Sequence, residues 1–196
     1  MTSLESNIIE TAKEYVLDIL GKDSSGHDYY HSIRVFNTSL KLAKNYCVNT
    51  YVLSLAALLH DVDDPKISEN TQHAKNFLNQ YQVIEKELIL EIIKNMSFTA
   101  HNAGKSVISI EGKIVQDADR LEALGAIGIA RCFTYSGYKN RAMYKGQKDD
   151  DSAIAHFYQK LFKLPDLMNT EEAKAIALER IQFMNDFLEN FYHEWE

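Results

Sequence analysis

Leu4, Ile8, Ala12 and Val16 recur at every fourth position, the spacing of one face of an α-helix. They predict a helix over 3–20, opened by a capping box of Thr2 with Glu5 and stopped by Gly21. After the polar loop 22–26, Ile33, Phe36, Leu40, Ala43 and Cys47 alternate steps of three and four. This predicts a second helix from the region of His27 to Tyr29 as far as Cys47, with His31 on the face away from the apolar stripe. A third helix over roughly 51–60 is apolar almost throughout, so its run Val52-Leu53-Ser54-Leu55-Ala56-Ala57-Leu58-Leu59 must be buried; it stops before Pro65.

Amphipathic segments follow at about 70–81 and 85–96. Residues 98–112 read as loop, 113–133 as one long helix, and 135–151 as a polar, Tyr-rich loop. Helices over about 152–164 and 170–196 finish the chain; in the last, Ala173, Ala177, Ile181, Met184, Leu188, Phe191 and Trp195 again step by fours and threes. Sustained period-2 alternation is absent. The expected fold is all-α, in a single domain.

Composition agrees. Of 196 residues, 45% are hydrophobic and 25% charged, ordinary for a folded chain, and only 8 Gly and 2 Pro interrupt the helical runs. A net charge of −7 argues against a nucleic-acid polymer as partner, because phosphates call for a positive face. A small phosphorylated ligand needs only a few local cations. Cys47 and Cys132 make no disulfide framework and read as reduced core thiols. No apolar run of about 18 residues suggests a membrane span. The start, Met1-Thr2-Ser3-Leu4, has no basic region or signal core, so a cytoplasmic protein is expected.

Chemistry could sit at three places. His60-Asp61 ends the buried third helix, an expensive position for polar groups unless a partner such as a divalent cation satisfies them. A core histidine bonded to a carbonyl, with Asp61 an ordinary turn residue, is the plain alternative. His31 has Arg34 one turn on, so a metal ligand beside a guanidinium would suit a phosphate; a solvated helix face would look the same. His27 stands four residues before His31, at the helix start, where a polar residue often caps instead. Asp117 and Asp119 open the predicted long helix, which also holds Gly125 and Gly128. Glycine inside a helix costs about 1 kcal/mol against alanine, so close approach of another backbone is expected there.

The order His31, His60-Asp61 and Asp119 resembles the HD-domain superfamily of metal-dependent phosphohydrolases. The blocks Gly26-His27-Asp28-Tyr29-Tyr30-His31-Ser32-Ile33-Arg34-Val35, Ala56-Ala57-Leu58-Leu59-His60-Asp61 and Glu111 through Asp119-Arg120-Leu121 look like its small bacterial branch of YpgQ- and YedJ-type nucleotide pyrophosphohydrolases. The resemblance implies an all-α HD-domain helical bundle with a motif-bearing core over about 26–133 and a helical C-terminal part over 152–196. It implies His31, His60, Asp61 and Asp119 as metal ligands, with Asp117 the rival of Asp119. One divalent ion is expected, Mn first and Fe, Co, Ni or Mg as alternatives. Asn95 stands where some relatives carry a histidine, and His101 matches no motif, which favours one ion over two.

The expected activity is hydrolysis of (deoxy)nucleoside triphosphates to monophosphate and pyrophosphate. Asp64 is the expected proton acceptor, and Arg34 and Lys66 would hold phosphates. The rival functions are a phosphomonoesterase acting on nucleoside monophosphates and a non-catalytic metal- and nucleotide-binding regulatory module. A nucleotide is the expected small-molecule partner, without a membrane; a homodimer is the assembly left open. The cations Lys139, Arg141, Lys145 and Lys148, interleaved with Tyr135, Tyr138 and Tyr144, make 135–151 either a loop closing over a polyphosphate or a solvated surface loop.

Overall fold

The capping box forms: the Thr2 N–H donates to Glu5 Oε2 at 2.5 Å, and Thr2 Oγ1 accepts from the Glu5 N–H at 3.2 Å. It opens α1, Ser3–Leu20, which buries Ile8, Ile9, Ala12, Val16 and Leu20. The structure, a computed structural model, describes residues 1–64, 71–98, 104–147 and 150–195. Helices α2 (Tyr29–Leu42), α3 (Thr50–Leu59), α4 (His73–Gln80), α5 (Lys86–Asn95) and α6 (Ile110–Glu122) follow. Then come α7 (Gly125–Tyr138), α8 (Ala153–Gln159), a 3-10 stretch at Leu161–Leu167 and α9 (Glu171–Trp195). The described residues contain no strand, so the fold is all-α as expected. No described helix is long and apolar enough to cross a membrane.

The chain groups into two compact units, one of residues 1–23 and 27–118, the other of 24–26 and 119 onward. In the first, α3 is the centre, with α1, α2 and α5 packed on it and α4 on α5. Tyr51 through Leu59 are all buried. Burial of each leucine here contributes about 1.5–3 kcal/mol, which fixes α3 and the residues at its end. Asn49 starts that helix: its side-chain oxygen accepts the N–H groups of Tyr51 and Val52 at 3.0 and 3.2 Å. In the second unit α9 packs on α7 and on the 3-10 stretch, which also packs with α8.

The single helix expected over 113–133 is two helices. Gly125, at φ +72°, lies in the left-handed region that glycine tolerates, and the chain turns there. The last carbonyls of α6 are satisfied by arginines: Arg180 donates to the Leu121 carbonyl, and Arg131 Nη1 to that of Glu122 at 3.2 Å. The close backbone approach expected at the glycines is found at Gly128, where a Cβ would overlap the Ala123 carbonyl.

Two further expectations change. Cys47 is exposed and Cys132 half-buried, so neither is a fully buried core thiol, and the second helix ends at Leu42 with a 3-10 turn, Ala43–Asn45, after it. Tyr135 to Tyr138 belong to α7 rather than to a loop. The irregular stretch after it is tied down. Tyr144 packs edge-on against Phe191, Tyr192 and Trp195 at ring separations of 5.8, 5.5 and 5.2 Å. Backbone bonds join Ala153 to Ala142 and Ile154 to Met143 at 3.0 and 3.1 Å. Lys148 lies outside the described residues.

Gly128→Ala should lower stability by about 1–3 kcal/mol through overpacking against Ala123, read as a lower urea midpoint at unchanged slope; an unchanged midpoint would contradict the close approach. His156 on α8 supplies a second test. Burial, with Lys160 and Arg141 adding, pushes its pKa from 6.5 down to about 4. The unfolded chain therefore binds the extra proton between those values, and stability falls as pH drops from 6.5 toward 4. His156→Gln should flatten that part of the urea-midpoint profile, and a profile parallel to the parent's would show that His156 is not its source.

Candidate metal centre

Asp28 fixes the start of α2. Its carboxylate accepts the His31 N–H at 2.7 Å, a standard N-cap bond, and the helix begins at Tyr29. The buried face of α2 is His31, Ser32, Val35, Phe36, Ser39 and Leu42. His31 thus points inward, where the apolar stripe had predicted the opposite face. The stripe misled because a histidine and two serines occupy the buried side, while Ile33 and Leu40 are only partly covered.

His60 follows the last residue of α3. Its Nδ1–H donates to the Ala57 carbonyl at 2.9 Å, one of the last-turn carbonyls that an α-helix leaves without an internal partner. That bond sets the tautomer and leaves the Nε2 lone pair for the site. His60 Nε2 stands 3.2 Å from His31 Nε2, with both side chains almost wholly buried at 3% and 1% exposure.

Asp61 closes the group. Its Oδ1 is 3.4 Å from His60 Nε2, and its Oδ2 is 3.4 Å from His31 Nε2 and 3.0 Å from His27 Nδ1. Burial pushes the Asp61 carboxyl up, but the charge and hydrogen bonding of His60, His27 and His31 outweigh it and hold the group well below the usual carboxylate range. The two imidazole nitrogens thus stand 3.2 Å apart, and each lies 3.4 Å from a different oxygen of the Asp61 carboxylate.

These spacings fit a cation. Two donors each about 2.1 Å from one ion lie about 3.0 Å apart at an octahedral right angle and about 3.4 Å apart at a tetrahedral one. The observed separations of 3.2 and 3.4 Å fall in this range. Imidazole with carboxylate is also a donor set suited to first-row divalent metals. His27, His31 and Asp61 form a candidate ligand group with donor atoms all within 4.8 Å of one another.

His27 is the residue whose part the sequence understated. It does not cap α2, because Asp28 does; its own N–H donates to Asp23 Oδ1 at 3.1 Å. The i, i+4 spacing of His27 and His31 was the available signal. Asp63 caps α4, accepting the N–H groups of His73 and Ala74 at 2.6 and 3.2 Å. Asp64 is half-buried in the turn after α3, its N–H bonded to the Asp61 carbonyl at 3.1 Å. Arg34 is half-buried one turn past His31. On α6, Asp117 is fully buried in the first unit, and Asp119 is half-buried as the first residue of the second stretch 119 onward. Asn95 ends α5. Lys66 and His101 lie outside the described residues.

The HD domain family matches residues 28–124, a span that holds His31, His60 and Asp61. YpgQ of Bacillus subtilis is 37% identical over 186 residues, covering 91% of this chain and 89% of YpgQ. The chain belongs to the HD-domain family. Among solved structures, a Lactobacillus plantarum protein superposes with TM-score 0.87 at 38% identity, over 100% of this chain and 98% of that one. The structure of Bacillus subtilis YpgQ in complex with ADP gives TM-score 0.83 at 33% identity, over 97% and 96%. An HD-superfamily hydrolase from Bacillus thuringiensis is 43% identical, with TM-score 0.76 over 97% and 98%.

The neighbouring carboxylates of α3's end should separate by function. His60→Ala or Asp61→Ala should strip a stoichiometric divalent ion, measured by elemental analysis after gel filtration in Mn2+. Asp63→Ala should keep the ion and lower stability by about 1 kcal/mol through loss of the α4 cap. Stoichiometric metal in both of the first two variants would contradict the centre.

Proposed function

We propose that the chain is a metal-dependent phosphohydrolase that cleaves (deoxy)nucleoside triphosphates to monophosphate and pyrophosphate. The observation that carries this reading is that His31 Nε2 and His60 Nε2 stand 3.2 Å apart, each 3.4 Å from an oxygen of the Asp61 carboxylate. Asp119 is the proposed fourth ligand. Its support is its place in the third motif block. One ion is proposed, with Mn2+ the metal.

A divalent ion held there supplies Lewis acidity, polarising a phosphoryl oxygen and acidifying water. The residues of the chain do the rest. The Ala57 bond keeps His60 in the tautomer that presents Nε2. Asp64, one turn beyond His60, accepts the proton of the attacking water. Arg34 forks onto non-reacting phosphate oxygens, one turn from His31 on the same helix, and Lys66 adds a second cation. The water oxygen bonds to the α-phosphorus, the α–β bridging P–O bond breaks, and pyrophosphate leaves.

Two facts support a nucleotide substrate. The related YpgQ has been seen in complex with ADP, and the sequence supplies two cations, Arg34 and Lys66, for phosphate oxygens. The basic stretch 139–147 gives less support than its composition suggested, because the Tyr144 ring is already packed against α9.

Parallel incubation of dATP and dAMP with Mn2+, with separate assays of phosphate and pyrophosphate, tests the bond. The expected result is dAMP plus pyrophosphate from dATP. Phosphate from dAMP, faster than any turnover of dATP, would make the chain a phosphomonoesterase. Metal and ADP binding with neither reaction would make it a binding module.

A further inference from the structure

Asp61 is a short side chain whose carboxylate is nearly free to rotate about χ2 unless something holds it. Its Oδ2 lies 3.0 Å from His27 Nδ1, a hydrogen-bond distance. A carboxylate only accepts, so His27 Nδ1 is the donor. We propose that His27 is a positioning residue, whose Nδ1–H···Oδ2 bond fixes the orientation in which Asp61 meets the ion. The proposal rests on the metal reading above.

Three observations separate His27 from the ligands themselves. Its side chain is 22% exposed, against 1% for His31 and 3% for His60, so it stands at the rim of the group. Its ring is perpendicular to that of His31 at 6.1 Å between centroids, packed edge-to-face. Its backbone is held on both sides. The His27 N–H bonds to Asp23 Oδ1 at 3.1 Å, and the next residue, Asp28, caps α2 at 2.7 Å. The imidazole therefore leaves a fixed point of the chain, as an orienting group must. Outer partners of this kind keep a carboxylate from swinging away from its metal, and their loss typically weakens metal binding about 10- to 100-fold.

The test is a Mn2+ titration followed by the paramagnetic resonance signal of the free ion, on the full chain. His27→Leu removes the donor, with His27→Ala in reserve if leucine does not fold. His27→Asn returns a donor, because its amide Nδ2 is as many bonds from Cα as the imidazole Nδ1. The leucine variant should bind Mn2+ about 10- to 100-fold more weakly, and asparagine should recover most of that loss. Parent-like affinity in His27→Leu would overturn the proposal. Asparagine as weak as leucine would also overturn it, since the ion would then need the imidazole itself as a ligand. His60→Ala, titrated alongside, tells the two failures apart. Parent-like Mn2+ binding there would remove the metal centre altogether. Lost binding there, with His27→Leu unchanged, would remove only the role of His27.

Discussion

The structure turns on the cost of burying His31, His60 and Asp61 together at the end of an apolar helix. Helix α3 is buried from Tyr51 to Leu59, so whatever follows it starts inside the first unit. A carboxylate and two imidazole nitrogens 3.2 to 3.4 Å apart, mostly screened from water, lose hydration that must be replaced. A divalent cation does this for all three donors at once. The neighbouring features follow from that need: the Ala57 bond to His60, the Asp28 cap that aims His31 inward, and His27 against Asp61.

The same local chemistry assigns different work to adjacent carboxylates. Asp61 faces three histidines, whereas Asp63, two residues on, spends both oxygens on the start of α4. Their charges and side chains are identical; what differs is the direction in which the turn after α3 presents them. Asp64 follows with its N–H bonded back to Asp61. This turn packs a candidate ligand, a structural cap and a candidate proton acceptor into four residues.

Much of this was legible in the sequence. Capping at Thr2, burial of α3 and the all-α fold come from local patterns that tertiary packing had no reason to override. The His31 and His60-Asp61 motif was readable because its residues are rare at the end of an apolar run. The face of α2 was misread because hydrophobicity counts cannot see that Ser32, Ser39 and a histidine fill the interior side. The break at Gly125 was missed because helical periodicity continues across it; only the positive φ and the arginines on the α6 carbonyls reveal the turn. The contact between His27 and Asp61 joins residues 34 apart, a separation at which local pattern carries no information.

The central claim is that this buried group is built around one divalent ion. Anomalous diffraction from crystals grown with Mn2+, collected on both sides of the manganese edge, tests it directly. The account predicts one strong peak within about 2.3 Å of His31 Nε2, His60 Nε2 and an oxygen of Asp61. Crystals that show manganese elsewhere on the chain, or none at a concentration that saturates metal binding in solution, would contradict it.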